Sequence, residues 1–305
     1  MKIFDNFFEK IYDKDIALTG MTEELFAVYV NKLYDNKKNI LIVTSNLVES
    51  NSLYRSISNY TDNVYLFPMD DFLTSEAMAI SPDLMVTRLE TMEAISNGSP
   101  SIVITNLMGY LRYLPLKKEY LKSVLSLKVN DEISPKELVE KLTNIGYERT
   151  TLVTKTGEIG VRGFVIDIFP LGESNPIRLE FFGDTIDSIR YFDSKTQKSL
   201  SEINSVDIYP YTEIFSNDTF IDEEKRSTKY LSEYGDVTNI GGYLDNHITI
   251  YKDKSSMLIN YKQICTDMLE YREEKDIDFK GSYMFVFNDI YENNALHYLT
   301  VDNLD

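Results

Sequence analysis

Cysteine and histidine are almost missing from these 305 residues. The single thiol, Cys265, excludes an internal disulfide and a Cys-rich metal site, which makes a reducing cytosol the expected compartment. His247 and His297 are the only imidazoles and stand far apart in the sequence, which speaks against a zinc site or a Ser-His triad. Long apolar runs are lacking too: none approaches the roughly 18 residues of a membrane span. The opening Met1-Lys2-Ile3-Phe4-Asp5 does not show the charged-then-apolar order of a secretory leader. Positive charge is scarce, with 31 Lys and Arg against 49 Asp and Glu for a net −18. Nucleic-acid affinity comes mostly from cations that displace counterions, so the chain as a whole is not built to grip DNA, although a local basic patch stays open. What is plentiful is core material. Hydrophobic residues make up 43% and aromatics 12%, enough for a folded chain of about two domains.

The first 120 or so residues read as alternating strand and helix. β-Branched runs at 39–44, 64–67 and 101–105 suit buried parallel strands. Leu25, Tyr29 and Leu33 mark one helix and Leu47, Tyr54 and Ile57 a second. Ser81-Pro82-Asp83 opens a third, with Leu89, Met92 and Ile95 on one face. Near residue 124 the pattern changes. Ser134-Pro135-Lys136-Glu137 is a capping box for a short helix that Gly146 stops. Strand-like stretches follow at 149–154, 161–168, 177–182 and 185–192, separated by turn residues. Past Pro210 the pattern becomes αβ again. Asp222 to Arg226 reads as a solvated helix face, 247–251 as a strand, Met257 to Met268 as a helix, and Met284 to Phe287 as a further strand. The expected fold class is α/β, a parallel-sheet domain at 1–123 and 211–305 interrupted by a smaller α+β domain at 124–210.

One segment invites a chemical reading. Ala17-Leu18-Thr19-Gly20-Met21-Thr22-Glu23-Glu24 lies at the first strand-to-helix junction, where a nucleotide-binding domain carries its phosphate loop. Ala17 and Thr22 stand at the glycine positions, Glu23 at the lysine and Glu24 at the magnesium-binding hydroxyl. Two like charges about 4 Å apart repel by about 4 kcal/mol at an effective dielectric near 20. A carboxylate at the lysine position therefore opposes phosphate, and the loop reads as degenerate. On these eight residues alone, a strand-turn-helix that never bound phosphate is the stronger reading. Asp70 and Asp71, side by side with no metal ligand or base nearby, read as a loop or helix cap.

The small domain carries a specific resemblance. Gly146-Tyr147-Glu148-Arg149, Gly157-Glu158, Val161-Arg162-Gly163-Phe164-Val165-Ile166-Asp167-Ile168-Phe169-Pro170 and the run Pro176 to Asp193 with Gln197 resemble one family nearly in register. It is the UvrA-binding domain shared by the excision-repair helicase UvrB and the transcription-repair coupling factor Mfd. The degenerate loop, and the few residues from 72 to 87 where UvrB has a long DNA-clamping insertion, favour the UvrB-homology region of Mfd.

The resemblance implies that the parallel-sheet domain is a degenerate RecA-like (P-loop NTPase-like) one. It implies an N-terminal, non-catalytic, cytoplasmic fragment without a cofactor, whose partner is UvrA in transcription-coupled excision repair; its high net charge makes a monomer the default expectation. It also implies that the full-length protein is an ATP-dependent translocase, using ATP and magnesium in a later motor and meeting RNA polymerase and double-stranded DNA there. A UvrB-type helicase piece and an autoinhibitory domain for the motor are the competing readings. By resemblance Arg162, Arg178 and Phe182 touch UvrA. Strand alternation puts Arg178, Glu180 and Phe182 on one face, with Leu179 and Phe181 in the core. The ordinary alternative is that Arg178 pairs with Glu180 or Asp167. Glu158 is expected to orient Arg162, and Arg190 and Asp187 to form surface pairs.

Overall fold

A computed structural model describes residues 17–34, 38–71, 82–214, 235–274, 284–292 and 295–300. Ser81 and the acidic stretch 222–226 lie outside the described residues. The chain divides into two compact units, Met1–Leu114 with Val237–Asp305, and Pro115–Asp236. The first unit's opening elements are β1 (Ala17–Met21), α1 (Glu23–Tyr34), β2 (Ile40–Thr44), α2 (Leu47–Ser58), β3 (Val64–Phe67), α3 (Pro82–Ser96) and β4 (Ile102–Asn106). Two short elements follow, α4 (Leu107–Leu111) and β5 (Leu114–Pro115). The second unit contains α5 (Lys117–Lys122), β6 (Leu125–Lys128), α6 (Pro135–Asn144), β7 (Glu148–Thr150), β8 (Glu158–Arg162) and β9 (Val165–Ile168). It continues through β10 (Ile177–Phe182), β11 (Thr185–Phe192), β12 (Ser199–Ile203) and β13 (Ser205–Ile208). The chain returns to the first unit with β14 (Val237–Thr238), β15 (Ile248–Lys252), α7 (Lys254–Glu274), α8 (Phe287–Ile290) and β16 (Leu296–Thr300).

The first unit is a six-stranded, wholly parallel sheet in the order β1-β16-β15-β2-β4-β3. Every residue of β2 and β4 is buried, as expected for central strands covered on both faces. Helix α1 closes one face with Phe26, Tyr29, Val30 and Leu33, and the Phe26 ring stacks on Tyr298 of β16 at 3.9 Å between centroids. The strand expected at Met284–Phe287 is absent: Met284 to Val286 are non-regular and Phe287 begins α8. These apolar side chains are used in tertiary contact instead, with Phe285 edge-on to Tyr113 and its amide donating to the Leu111 carbonyl. The sixth strand is β16.

His247 sits where the chain enters β15. Its Nδ1 is 2.8 Å from the Leu244 carbonyl and its Nε2 3.1 Å from Glu292 Oε1. Both neighbours are acceptors, so only the doubly protonated ring satisfies both. Burial works against that charge, but the bonds to Glu292 and to Leu244 overcome it and raise the His247 pKa above 6.5. Burial likewise opposes the Glu292 charge, and the His247 contact prevails, lowering its pKa. A raised imidazole pKa contributes stability that is complete below the unfolded value and is lost as pH rises through the folded one. A lowered carboxylate pKa contributes stability that is lost as pH falls through its folded value. Urea unfolding of the wild type is therefore expected to show stability declining on the alkaline side of about pH 6.5, and His247→Asn to remove that slope. An unchanged slope would contradict the pairing.

The second unit is a six-stranded sheet, β12-β11-β10-β9-β8-β7, with only the β7–β8 pair parallel. Helix α6 supplies Leu138, Val139 and Leu142 to its core, against Ile159, Ile166, Ile177, Leu179 and Ile189. Ser134 caps α6 by accepting the Glu137 amide at 3.2 Å, with Pro135 in the first turn. The stretch 161–168, read as one strand, is a hairpin: Arg162 faces Val165 across a two-residue turn, and Gly163 has φ +61°. A glycine opening such a turn accepts the left-handed conformation at little cost.

Candidate functional site

Alternation along β10 decides which side chains reach solvent. Ile177, Leu179 and Phe181 are buried, Arg178 and Glu180 are half-buried, and Phe182 is 83% exposed. The expected face assignment holds, even though the pairing with β11 shifts register between Glu180 and Phe181. Phe182 ends its strand beside Gly183, whose φ of +64° turns the chain into β11.

Arg178 is the electrostatic centre of the outward face. Its Nε donates to Asp167 Oδ1 at 2.6 Å and its Nη2 to Asp167 Oδ2 at 2.8 Å, a bidentate fork across the β9–β10 ladder. The guanidinium carbon lies 4.5 Å from the centroid of the buried Phe192 ring. Hydrogen bonding to Asp167 is the main cause that raises the Arg178 pKa. Of the two partners left open by the sequence, Asp167 is the one engaged. Glu180 instead accepts from Arg190 and from Ser188, and the Arg190 contact is the first cause of its lowered pKa. Asp187, expected as a surface partner alongside Arg190, is not its partner here.

Arg162 is exposed at the end of β8, and its Nη2 donates to the Thr151 carbonyl at 3.1 Å. Glu158 does not orient it. That carboxylate accepts the amides of Thr154 at 2.7 Å and Lys155 at 2.9 Å, fixing the turn before β8. Phe164, 64% exposed in the β8–β9 turn, was not singled out from the sequence. The signal for it was an aromatic after glycine in a segment read as continuous strand.

The junction at residues 17–24 is not an open loop. Ala17 and Gly20 belong to β1, and Thr22 alone separates that strand from α1, accepting the Phe26 amide through its carbonyl at 2.9 Å. A one-residue connection leaves no arch of amides to wrap a phosphate. Glu23 Oε1 accepts from the hydroxyls of Ser52 at 2.7 Å and Ser56 at 2.8 Å, which ties α1 to α2. The Glu24 pKa is lowered by its backbone bond and then by Thr22. Burial, then the charges of Glu23 and Glu24, push the nearby Tyr298 phenol up to about 12.

At the carboxyl ends of the strands, where parallel sheets usually take ligands, the N-terminus of α2 is also occupied. Asp71 accepts the Leu47 amide with both oxygens, at 3.0 and 2.9 Å, and the Asn106 amide group at 2.7 Å. Among the described residues no group of His, Cys, Asp and Glu could hold a metal ion, and no helix is long and apolar enough to cross a membrane.

Residues 125–214 match the UvrB interaction domain family. The chain is 32% identical over 237 residues to the transcription-repair-coupling factor of Staphylococcus epidermidis, covering 75% of this chain and 20% of that protein. It is 31% identical over 204 residues to the same factor of Bacillus subtilis, covering 66% of this chain and 17% of that protein. The chain thus spans about a fifth of the curated relatives it matches. Over 75% of its length the chain is similar to a transcription-repair-coupling factor, and its residues 125–214 belong to the UvrB interaction domain family.

Proposed function

We propose that this chain is a non-catalytic module that recruits UvrA in transcription-coupled nucleotide excision repair, and that the second unit makes the contact. The observation that carries this reading is Phe182, a large ring 83% exposed at the end of β10, with the exposed Arg162 at the end of β8 on the same end of the sheet. Arginine next to an exposed aromatic is the usual composition of a binding hot spot. In this reading Arg162 and Phe182 meet UvrA directly. Arg178, committed to Asp167, acts chiefly by holding β9 to β10. A docking face of ordinary size covers about 800 Å² per side. The full-length protein would be an ATP-dependent translocase acting on DNA and stalled RNA polymerase in the cytoplasm, with those activities outside this chain.

Co-elution with UvrA in gel filtration tests the reading directly, and a folded chain that migrates apart from UvrA would overturn it. Nucleotide is the counter-test. With Glu23 at the lysine position and a single residue joining β1 to α1, titration with magnesium-ATP is expected to give no saturable binding up to about 1 mM. Binding below that concentration would favour the helicase-piece reading.

A further inference from the structure

We infer that Phe164 is a second aromatic anchor of the UvrA-docking face, at the same end of the sheet as Phe182; this rests on the UvrA reading above. The strand directions bring the two residues together. β7 and β8 are parallel, while β8, β9, β10 and β11 alternate, so the ends of β7, β8 and β10 lie at one edge of the sheet. Three of the unit's exposed large apolar residues gather there: Leu152 just past β7, Phe164 in the β8–β9 turn, and Phe182 at the end of β10. Their exposures are 45%, 64% and 83%.

Scattered apolar side chains on a surface are ordinary, but a cluster at one structural feature points to an interaction site. Backbone bonds hold this cluster in place. The Phe181 amide donates to the Phe164 carbonyl at 2.9 Å, which extends the β9–β10 ladder one rung beyond Glu180 and Val165. The backbone of Phe164 is therefore tied to that of Phe181, one residue before the exposed Phe182. The two exposed rings stand at the same sheet end, with Arg162 at the end of β8. Folding gives no reason for the Phe164 ring, which is mostly in water and follows a glycine that already makes the turn. The complementary surface on UvrA would be apolar, wide enough to receive both rings at the hairpin ends, with a carboxylate opposite Arg162.

The test compares wild type, Phe164→Ala, Phe164→Tyr and Phe182→Ala in calorimetric titration with UvrA, with thermal melts as the folding control. Phe164→Ala is expected to weaken binding at least tenfold with an unchanged melt, and Phe164→Tyr, which keeps the ring, to stay within about threefold of wild type. If wild type binds and Phe164→Ala binds equally well, the second anchor is wrong and the UvrA reading stands. If folded wild type does not bind at all, both fail.

Discussion

Arg178→Ala is expected to cost the folded chain about 3 to 5 kcal/mol, the largest effect of any surface-facing substitution in the second unit. The reason is the residue it abandons. Asp167 has a side chain only 3% exposed, and both its oxygens are bonded to the Arg178 fork. Truncating the arginine leaves a buried carboxylate without its counter-charge, and uncovers the Phe192 ring beneath it. An exposed bridge would cost only about 0 to 1 kcal/mol, so the size of the loss separates the two situations. Adding Asp167→Ala to Arg178→Ala should return part of the stability, because the unpaired charge is then gone. Lysine should not substitute fully, since it cannot make the bidentate contact. Urea unfolding of the two single variants and the double variant measures all of this. A loss below about 1 kcal/mol would show that the pair is solvated and Arg178 free to serve a partner.

Phe182→Ala is expected to do the reverse, weakening UvrA binding by at least about 2 kcal/mol, roughly thirtyfold, while leaving stability within about 0.5 kcal/mol. Fully burying a Phe side chain is worth about 1.5 to 3 kcal/mol, and in the free chain this ring has made almost none of that gain. On the proposed reading, the contrast between Arg178 and Phe182 therefore divides a residue that supports the docking face from one that makes the contact. Any binding loss in Arg178→Ala has to be judged against its stability loss, whereas Phe182→Ala reads contact alone.

Much of this was legible in the residues. The buried runs of β2 and β4 announced a parallel sheet, and alternation in Arg178-Leu179-Glu180-Phe181-Phe182 assigned the faces correctly because one side must fill the core. The partner of Arg178 was not legible, because two carboxylates lay within reach and only the ladder register brings Asp167 opposite it. Glu158 misled for a similar reason: proximity to Arg162 in sequence could not show that the amides of Thr154 and Lys155 would claim its carboxylate. Met284–Phe287 looked like a strand since a short apolar run has no period of its own to distinguish buried strand from buried turn. β16 was hidden because its pairing comes from β1 and β15, at distant points in the chain. The same limit concealed the turn at Gly163, and with it the exposure of Phe164.

Calorimetric titration of UvrA with the whole chain, at about 0.15 M salt where long-range charge effects are largely screened, tests most directly whether the end of the second unit's sheet recruits UvrA. One saturable site at about micromolar affinity or tighter, abolished in a folded Arg162→Ala/Phe182→Ala variant, is the expected result. A folded wild type that gives no binding, or a double variant that binds as wild type does, would contradict it.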